Sequence, residues 1–416
     1  MSQPLNPHTP PTPRIAIIGA GPGGLLCARV LQQRGIPVTV YEGDLSATSR
    51  NQGGTLDMHA DQGQIALEDA GLLAAFMQLA RPESQAKKRL DSQGNVLSQF
   101  VPQRSDTAAP EIDRGQLRTL LTDHLAPGIV QWNHKLLHVT PLGGGTHRLH
   151  FEHGSTADVD LLIGADGAHS RVRPLLTDQV PQYSGVTFLE VQFDDVDRRH
   201  PDIARLVGEG DMFATDGQRL GIIGQRNSHC HVRVYIGMKT PLDWHTQAGL
   251  NLKDPDQVRQ HLLDTFTGWS EDLLAVIRHN EGVFVVRPLF ALPAPMRWAH
   301  VPGVTLLGDA AHLMAPFGGF GANLALLEGA ELARCIAEHP SPDQAIRQYE
   351  RVMFERSGPL AVAANEGLAG FFGVQEGPLD VPDHHAEHQQ YQEAAALYRQ
   401  RQRDSGMPQG LGVEGS

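Results

Sequence analysis

Short apolar runs mark buried strands at widely separated places along the chain. The first is IAII at residues 15–18, and VTVY follows at residues 38–41 after a segment with helical spacing. Two more, DLLIG at residues 160–164 and VTLLG at residues 304–308, lie far downstream. Continuous β-branched and aliphatic runs are typical of parallel strands buried on both faces. The pattern predicts a parallel sheet built from distant segments.

Alternating apolar and polar residues mark a second kind of strand in the middle of the chain. VTFLEVQF at residues 186–193 and HVRVYIGM at residues 231–238 alternate in this way. Such alternation predicts antiparallel strands with two unlike faces. Residues 86–102 read as a hairpin with a QGN turn, and we expect this hairpin to join the same sheet.

Together, the two patterns indicate an α/β fold: a Rossmann-like domain with an inserted antiparallel sheet and C-terminal helices. We expect the Rossmann-like, nucleotide-binding domain to be discontinuous, over residues 14–75, 105–180 and 285–375. The inserted substrate-binding domain is expected over residues 76–104 and 181–284. The ends are interpreted as a proline-rich disordered leader without signal-peptide order, residues 1–13, and a C-terminal helix and tail, residues 376–416.

A dinucleotide fingerprint occupies the first strand–turn–helix–strand unit. Gly19, Gly21 and Gly24 fit GxGxxG after the first strand, and the second strand ends on Glu42. Gly19 is expected to make the tight turn, Gly21 to let the backbone approach a pyrophosphate, and Gly24 to let the helix pack on the sheet. The helix N-terminus then faces the phosphates and Glu42 accepts the ribose hydroxyls. This pattern is common to NAD and FAD sites, and a structural glycine turn is the alternative.

Two later segments carry an aspartate at the end of an apolar strand. Asp166 begins DGAHSRVR, and Asp309 begins DAAHLMAPFGGFGAN, which includes Gly319 and Gly321 and leads into an amphipathic helix. Each segment alone is also explained as a strand followed by a turn. Closely spaced glycines favour backbone pressed against a flat or charged ligand. We therefore treat both aspartates and both glycines as candidate cofactor contacts.

The charge balance and the cysteines limit the partners. The chain has 34 Lys and Arg against 47 Asp and Glu, a net charge of −13. This acidity argues against nucleic acid or a membrane surface as partner. No apolar run is long enough for a membrane span. Cys27, Cys230 and Cys335 are odd in number and widely spaced, so we expect neither disulfides nor zinc, and we expect a reducing cytoplasm.

One pair of histidines has a metal-like spacing. His384 and His388 stand at i and i+4 in a polar C-terminal segment that is predicted to be helical. No buried third ligand accompanies them in the sequence, and a structural zinc site needs more ligands than two. We therefore predict a solvated helix face and no metal site.

GxGxxG near the start, then DG, then GD, in that order, resemble the FAD-dependent single-component aromatic hydroxylases, the group A flavin monooxygenases. The resemblance covers most of the chain. It implies a GR2-type FAD fold, non-covalent FAD, NADPH as co-substrate, O2, and hydroxylation through a C4a-hydroperoxyflavin. In that family the late aspartate, here Asp309, binds the ribityl chain, and the following helix points its N-terminus at the flavin. Because the flavin carries the chemistry, no catalytic side chain is assigned.

Further segments look like the tetracycline-inactivating flavin monooxygenases: GGTLDMH, PEIDRGQLR, KTPLDW, GDAAHLMAPF and YERVMF. By this resemblance Arg50 contacts the nicotinamide nucleotide, Asp57 the flavin and Arg114 the FAD. Gln192 corresponds to a substrate contact beside the flavin. Surface ion pairs are the alternative for the two arginines and Asp57.

The substrate pocket is expected between the inserted sheet and the flavin. Its walls are expected to include Phe317, Gly319 and Phe320, and His231 and Arg233 are further substrate candidates. For the last two, solvent-facing strand positions are the alternative.

The sequence departs from the tetracycline-inactivating enzymes near the pocket. Ala315 and Phe320 stand where those enzymes have a proline and a glutamine. An aromatic ring in place of an amide favours a flatter or less polar ring system.

The resulting functional prediction is an NAD(P)H-consuming FAD monooxygenase that hydroxylates a phenolic or enolic polycycle, with tetracycline first among named substrates. A hydroxylase of a simpler phenol or of a quinolone-like catabolite is one alternative. A flavoprotein that sequesters its ligand without turnover is the other. A monomer is the default expectation for its assembly.

Overall fold

The computed structural model of the chain describes residues 13–49, 53–374 and 382–404. Arg50, nearly all of the predicted leader and the end of the predicted tail lie outside the described residues. The strands are β1 Ile15–Ile18, β2 Val38–Tyr41, β3 Thr55–Asp57, β4 Lys87–Asp91, β5 Val96–Phe100, β6 Glu111–Asp113, β7 Val130–Gln131, β8 Leu136–Gly143, β9 Thr146–Phe151, β10 Thr156–Val159, β11 Leu161–Gly164, β12 Gln182–Phe193, β13 Asp211–Thr215, β14 Leu220–Asn227, β15 His231–Lys239, β16 Val285–Ala291 and β17 Val304–Leu306.

The helices vary widely in length. They are α1 Pro22–Gln33, α2 Gly63–Asp69, α3 Leu73–Leu79, α4 Arg114–Asp123, α5 Val196–Arg199, α6 Pro201–Val207, α7 Trp244–Gln247, α8 Pro255–Thr265, α9 Glu271–Arg278, α10 Asp309–His312, α11 Phe320–Glu338, α12 Pro342–Phe371 and α13 His384–Asp404. Among the described helices, none combines the length and the apolar content that crossing a membrane requires.

The apolar runs form the parallel sheet that the sequence predicts. Its strand order is β17–β11–β1–β2–β7, and every neighbouring pair is parallel. All four residues of β1 are buried, and α1 packs closely against α11. Because parallel strands end at the same edge, the turns after β1, β11 and β17 meet there.

The alternating runs form a seven-stranded sheet in the order β16–β12–β15–β14–β13–β4–β5. The predicted hairpin, β4 and β5, joins this sheet through parallel pairing of β4 with β13. The sheet also extends beyond residue 284, where we expected the substrate-binding segment to end. The added strand, β16, pairs with β12 at the sheet edge. Two exposed positions and Pro288 make β16 hard to recognise as a strand in the sequence. Proline is nevertheless tolerated in a strand at the edge of a sheet.

Two smaller sheets complete the fold. β10, β9 and β8 form an antiparallel three-stranded sheet that the sequence analysis missed, although the Gly143–Gly145 turn between alternating runs is a hairpin signal. β3 pairs with β6, which places Asp57 opposite Glu111.

The C-terminal helix α13 is present but is not solvated on the face that carries His388. His388 is 6% exposed and its Nδ1 lies 2.7 Å from Asp106. Tyr391, Ala395 and Tyr398 on this face pack against the nucleotide-binding half. Their helical spacing was obscured by the polar residues between them. The prediction of a solvated face was therefore wrong for His388.

Candidate active site

The turn after β1 leaves the N-terminus of α1 open. The N-cap is Gly21, which has no side chain that could cap the helix. A Cβ added at Gly21 would meet no atom within 4 Å. The first-turn N–H groups of a helix have no partners within that helix, and they suit a phosphate. The structure thus provides space and donors where the sequence predicts a pyrophosphate.

Glu42 lies at the end of β2 and braces this turn. Its Oε2 accepts a hydrogen bond from Ala20 N at 2.7 Å, and its Oε1 accepts one from Asp44 N at 2.9 Å. Each oxygen keeps a further lone pair. Arg118, which is 3% exposed, donates to Asp44 Oδ2 at 2.8 Å and to Ala20 O at 3.2 Å. Arg118 was not predicted as a site residue, and its one signal in the sequence is its position one helical turn after Arg114.

Asp166 carries a buried oxygen that has no partner among the described residues. Its Oδ2 accepts from Arg171 N at 2.6 Å, whereas its Oδ1 is unpaired. Burial raises the pKa of Asp166 above its ordinary value. Arg173 links this turn to the next one by donating to Ala310 O at 3.1 Å. An unpaired buried acceptor at this edge of the sheet fits a ligand that brings its own donor.

Asp309 begins α10 and is exposed, and no donor among the described residues is paired with its carboxylate. A Cβ added at Gly321 would lie 3.9 Å from Asp309 Oδ1. The turn is held in place by Glu328, which lies on α11 and is fully buried. Glu328 accepts from Gly308 N at 2.8 Å and bonds His312 Nε2 at 2.7 Å. The fold therefore fixes the turn and leaves the Asp309 carboxylate available for a ligand.

The glycine loop meets the strand that carries Asp57. Gly319 is the N-cap of α11 and has a left-handed φ of 66°. A side chain there would overlap the Asp57 carboxylate. Asn323, which is fully buried, donates to Asp57 O and Gly319 O, both at 2.8 Å, and accepts from His59 N at 2.9 Å. The two predicted flavin contacts, Asp57 and Gly319, are thus brought together.

Arg114 begins α4 at the border with the seven-stranded sheet. Its N donates to Gly54 O at 3.1 Å, and its side chain is exposed. A Cβ added at Gly54 would lie 3.0 Å from Tyr235 Oη and 3.5 Å from Arg233 Cδ. Arg114 therefore lies where the two halves of the molecule face each other. Arg50, the other predicted arginine, lies outside the described residues.

The sheet face above this border is charged. Glu190 is 2% exposed and forms ion pairs with Arg233 and Arg287. Gln192 donates to Glu190 Oε1 at 2.8 Å. The pairing register of β12 with β15 aligns Gln192 with Arg233 and Glu190 with Tyr235. The predicted substrate candidates Gln192 and Arg233 thus share one network, and its centre, Glu190, was missed because register is not readable from a single strand.

Aromatic rings lie on the same sheet face. The ring centroids of Phe188 and Tyr235 are 5.6 Å apart, and those of Phe188 and Phe372 are 6.0 Å apart. Phe371 lies 5.0 Å from Phe372 and 5.5 Å from Phe317. Phe317 is therefore part of an aromatic cluster, Phe188, Tyr235, Phe317, Phe371 and Phe372.

A predicted wall residue, Phe320, and a predicted substrate candidate, His231, lie apart from the aromatic cluster. Phe320 packs beside Met314 and Leu324 against α12. His231 lies at the start of β15, where its Nδ1 is 2.7 Å from the exposed Asp194. Within the described residues, no group of three or more His, Cys, Asp or Glu side chains is arranged to hold a metal ion.

The fold and the site define a class of protein. A parallel sheet with a GxGxxG turn, two aspartate turns at the same edge and an antiparallel sheet over them are the architecture of FAD-dependent monooxygenases of the aromatic hydroxylase type. The family model described as FAD binding domain, FAD_binding_3, matches residues 12–269 and 295–353. The chain belongs to this family.

Relatives and solved structures agree with this class. Monooxygenase asqM of Emericella nidulans is 30% identical over 374 residues, which is 77% of this chain and 83% of the relative. HpxO of Klebsiella pneumoniae, solved with FAD and uric acid, has a TM-score of 0.73 at 22% identity over 92% of this chain and 93% of its own. The tetracycline destructase Tet(55) has a TM-score of 0.68 at 19% identity over 94% and 97%. At these identities the two structures show the shared fold.

Proposed function

We propose that this FAD-dependent monooxygenase consumes NADPH and hydroxylates a phenolic or enolic polycyclic substrate. The substrate would lie between the seven-stranded sheet and the glycine loop before α11. The observation that carries the proposal is the aromatic cluster beside the Glu190 network, because flat rings and an ionisable oxygen match that pair of surfaces.

The residues present fit FAD. The open N-terminus of α1 suits the pyrophosphate, and Asp166 Oδ1 and the Asp309 carboxylate are acceptors without partners among the described residues. Asp57 and Gly319 would contact the flavin ring, and Arg114 would pair with phosphate or ribose oxygens. Once reduced, the bound flavin would supply O2 activation and transfer of one oxygen atom to the substrate.

The sheet face would orient the substrate and exclude water. The rings of Phe188, Tyr235 and Phe317 would pack on a flat substrate. Exclusion of water by these apolar side chains would strengthen the polar contacts of the substrate. Glu190 has two arginine partners, so the network carries one excess positive charge. That charge would hold an ionised substrate oxygen, and Gln192 would add a directional hydrogen bond.

NADPH would reach the flavin from outside. The FAD would occupy the GxGxxG of Gly19, Gly21 and Gly24, and the other match to this spacing, GLGVEG at residues 410–415, does not follow an apolar run. Arg50 is the proposed phosphate contact for the nicotinamide nucleotide. Cys27, Cys230 and Cys335 are free, which fits a reducing cytoplasm. We propose that the enzyme works there as a monomer.

Tetracycline is the first named substrate to test, because KTPLDW and GDAAHLMAPF match the enzymes that inactivate it. A smaller, flatter substrate such as a simple phenol or a quinolone is the second candidate. It is favoured by the close packing of Phe371 against Phe317 and Phe372, with ring centroids 5.5 Å and 5.0 Å apart. One relative with 28% identity is a 6-hydroxynicotinate 3-monooxygenase of Pseudomonas fluorescens, covering 84% of this chain and 89% of its own.

The decisive experiment is an NADPH-oxidation screen of the FAD-loaded enzyme. Tetracycline, a hydroxyquinolone and a simple phenol are each added in air, and products are examined for a mass gain of one oxygen atom. We expect a polycycle to stimulate oxidation and to gain oxygen. Stimulation by the phenol alone would exclude the polycyclic substrate, and binding without any stimulation would favour the sequestering flavoprotein.

Asp309→Ala tests the cofactor site separately. Loss of a charge-assisted bond to the ribityl chain should weaken FAD binding by about 10-fold or more. The FAD dissociation constant, measured by flavin fluorescence, checks this. Unchanged affinity would mean that Asp309 does not hold the cofactor.

A further inference from the structure

A buried group of ionisable side chains surrounds Asp57 where the parallel-sheet half, the seven-stranded sheet and α13 meet. Lys87 Nζ on β4 lies 3.6 Å from Asp57 Oδ2, and His59 Nε2 lies 3.2 Å from the same oxygen. The strand registers place Glu111 opposite Asp57 and Asp211 opposite Lys87. Three carboxyl groups therefore share one nearby lysine.

These carboxyl groups differ in charge. Burial raises the pKa of Glu111 well above its ordinary value and raises that of Asp211 to about 6. For Asp57, burial acts in the same direction, but His59 and Lys87 outweigh it and hold the pKa below its ordinary value. Asp57 is therefore the member of the group that keeps its negative charge.

Helix α13 closes the group from the outside. The Tyr391 ring stacks on His59 with centroids 4.3 Å apart and planes 16° from parallel. Arg81, the other nearby cation, is engaged elsewhere, by Asp113 at 3.0 Å and by Thr55 at 3.0 Å. The side chains of Lys87 and Asp57 are 20% and 16% exposed, so their interaction is only partly screened by solvent.

We propose that Lys87 is a positioning residue for the flavin, since it keeps Asp57 ionised and held beside Gly319. The inference rests on the proposed function, in which Asp57 and Gly319 contact the flavin ring. It adds that a strand of the seven-stranded sheet, β4, contributes to the affinity for FAD. Motifs and resemblance assign no role to Lys87.

The neighbouring lysine provides a matched control. Lys88 points to the opposite face of β4, and its Nζ donates to Leu206 O at 2.7 Å. Lys87→Met and Lys88→Met therefore remove the same charge from adjacent positions of one strand. Lys87→Arg keeps the charge at the first position.

The FAD dissociation constant, measured by flavin fluorescence, is the readout. We expect Lys87→Met to weaken FAD binding by about 10-fold, because the charge-assisted contact that holds the Asp57 carboxylate beside the flavin is lost. Lys87→Arg should restore most of the affinity, and Lys88→Met should match the wild type. Equal affinities of Lys87→Met and Lys88→Met would overturn the inference.

The pH profile separates positioning from packing. Without Lys87, burial acts on the pKa of Asp57 against His59 and a backbone hydrogen bond alone, so this pKa should be higher in Lys87→Met than in the wild type. FAD binding by Lys87→Met should therefore weaken at a higher pH than FAD binding by the wild type as the pH is lowered. The groups facing Asp57 from other elements, Glu111, Asp211 and Tyr391, are retained in both proteins, as is His59. Parallel profiles would contradict the inference.

A double variant identifies Asp57 as the group through which Lys87 acts. Adding Lys87→Met to Asp57→Asn should weaken FAD binding no further than Asp57→Asn alone. Additive losses would overturn the inference. If circular dichroism shows that Lys87→Met is unfolded, Lys87→Gln replaces it with the same expected outcomes. A wild-type protein that binds no FAD would instead refute the proposed function.

Discussion

The two faces of the seven-stranded sheet are built by opposite rules. One face is apolar: Leu189, Val234 and Ile236 are fully buried and pack in one cluster with α6, α8 and α9. The other face carries the Glu190 network and the aromatic cluster. Since successive residues of a strand point to opposite faces, the same strands serve both.

This difference separates stability from recognition along one strand. In β15, Val234 and Ile236 belong to the core, while Arg233 and Tyr235 belong to the proposed site. Burying an ion pair contributes little net stability, because desolvation offsets the attraction. Under the proposed function the charged face binds substrate, whereas the apolar face contributes to the core.

The largest effect is expected from breaking the ion network. Glu190→Ala leaves Arg233 buried without its carboxylate, which should lower the free energy of unfolding by about 3–5 kcal/mol. Urea unfolding measures the loss. Replacing both residues, Glu190→Leu with Arg233→Met, should recover most of the stability while substrate-stimulated NADPH oxidation stays low. Full activity in the double variant would show that the charges do not serve recognition.

On the apolar face, Ile236→Ala should cost about 2–5 kcal/mol, because it opens a cavity in the core. The folded Ile236→Ala protein should keep the wild-type affinities for FAD and substrate, whereas the ion-network variants should lose substrate affinity. Urea unfolding and ligand titration test the two halves of this statement. A substrate affinity that falls with stability would mean that the two faces are not independent.

The aromatic cluster depends on a glycine at the register position opposite Phe188. A Cβ at Gly237 would lie 2.5 Å from Phe372 Cζ and 2.9 Å from Phe188 Cε1. Gly237→Ala should therefore cost about 1–3 kcal/mol through overpacking. Phe372→Leu should relieve much of this cost in the double variant. If thermal unfolding shows no relief, the strain comes from the backbone and not from the ring.

The smallest effect concerns a buried ion pair outside the sheet, His312 with Glu328. Burial lowers the pKa of His312, but Glu328 outweighs it and raises the pKa above its ordinary value. A raised folded pKa gives stability that is complete below the unfolded value of about 6.5 and is lost as the pH rises through the folded value. The stability difference between wild type and His312→Gln should thus shrink as the pH rises through the folded pKa of His312.

Urea unfolding at several pH values gives this difference, with the wild type as its own reference for all other groups. A difference that is constant or grows with pH would contradict the charged state of His312.

The sequence was sufficient where local pattern and chemistry coincide. The unit of β1, α1 and β2 follows from an apolar run, three glycines and a terminal glutamate. The position of Asp166 and Asp309 at one edge of the sheet could be predicted, because each follows a buried strand and parallel strands end at one edge. Each of these signals lies within a few consecutive residues.

The rest depends on pairings between distant segments. Glu190 meets Arg287 only through the register of β12 with β16, and Lys87 meets Asp57 only because β4 lies against β13. Tyr391 reaches His59 from a helix whose apolar residues are sparse. A one-residue change of register would move every side chain of a strand to the opposite face of the sheet. These contacts therefore depend on the tertiary structure and cannot be predicted from one segment of the sequence.

The parallel pairing of β4 with β13 has a consequence for how the chain acquires its structure. The hairpin of β4 and β5 is synthesised long before its partner strand and must wait, unpaired, for residues 211–215. Contacts between such distant segments slow folding, because a long loop has to close first. A fragment that begins after the hairpin would expose the edge of β13 and is expected to aggregate. The seven-stranded sheet is therefore not a module that can be excised or exchanged between relatives as one continuous piece.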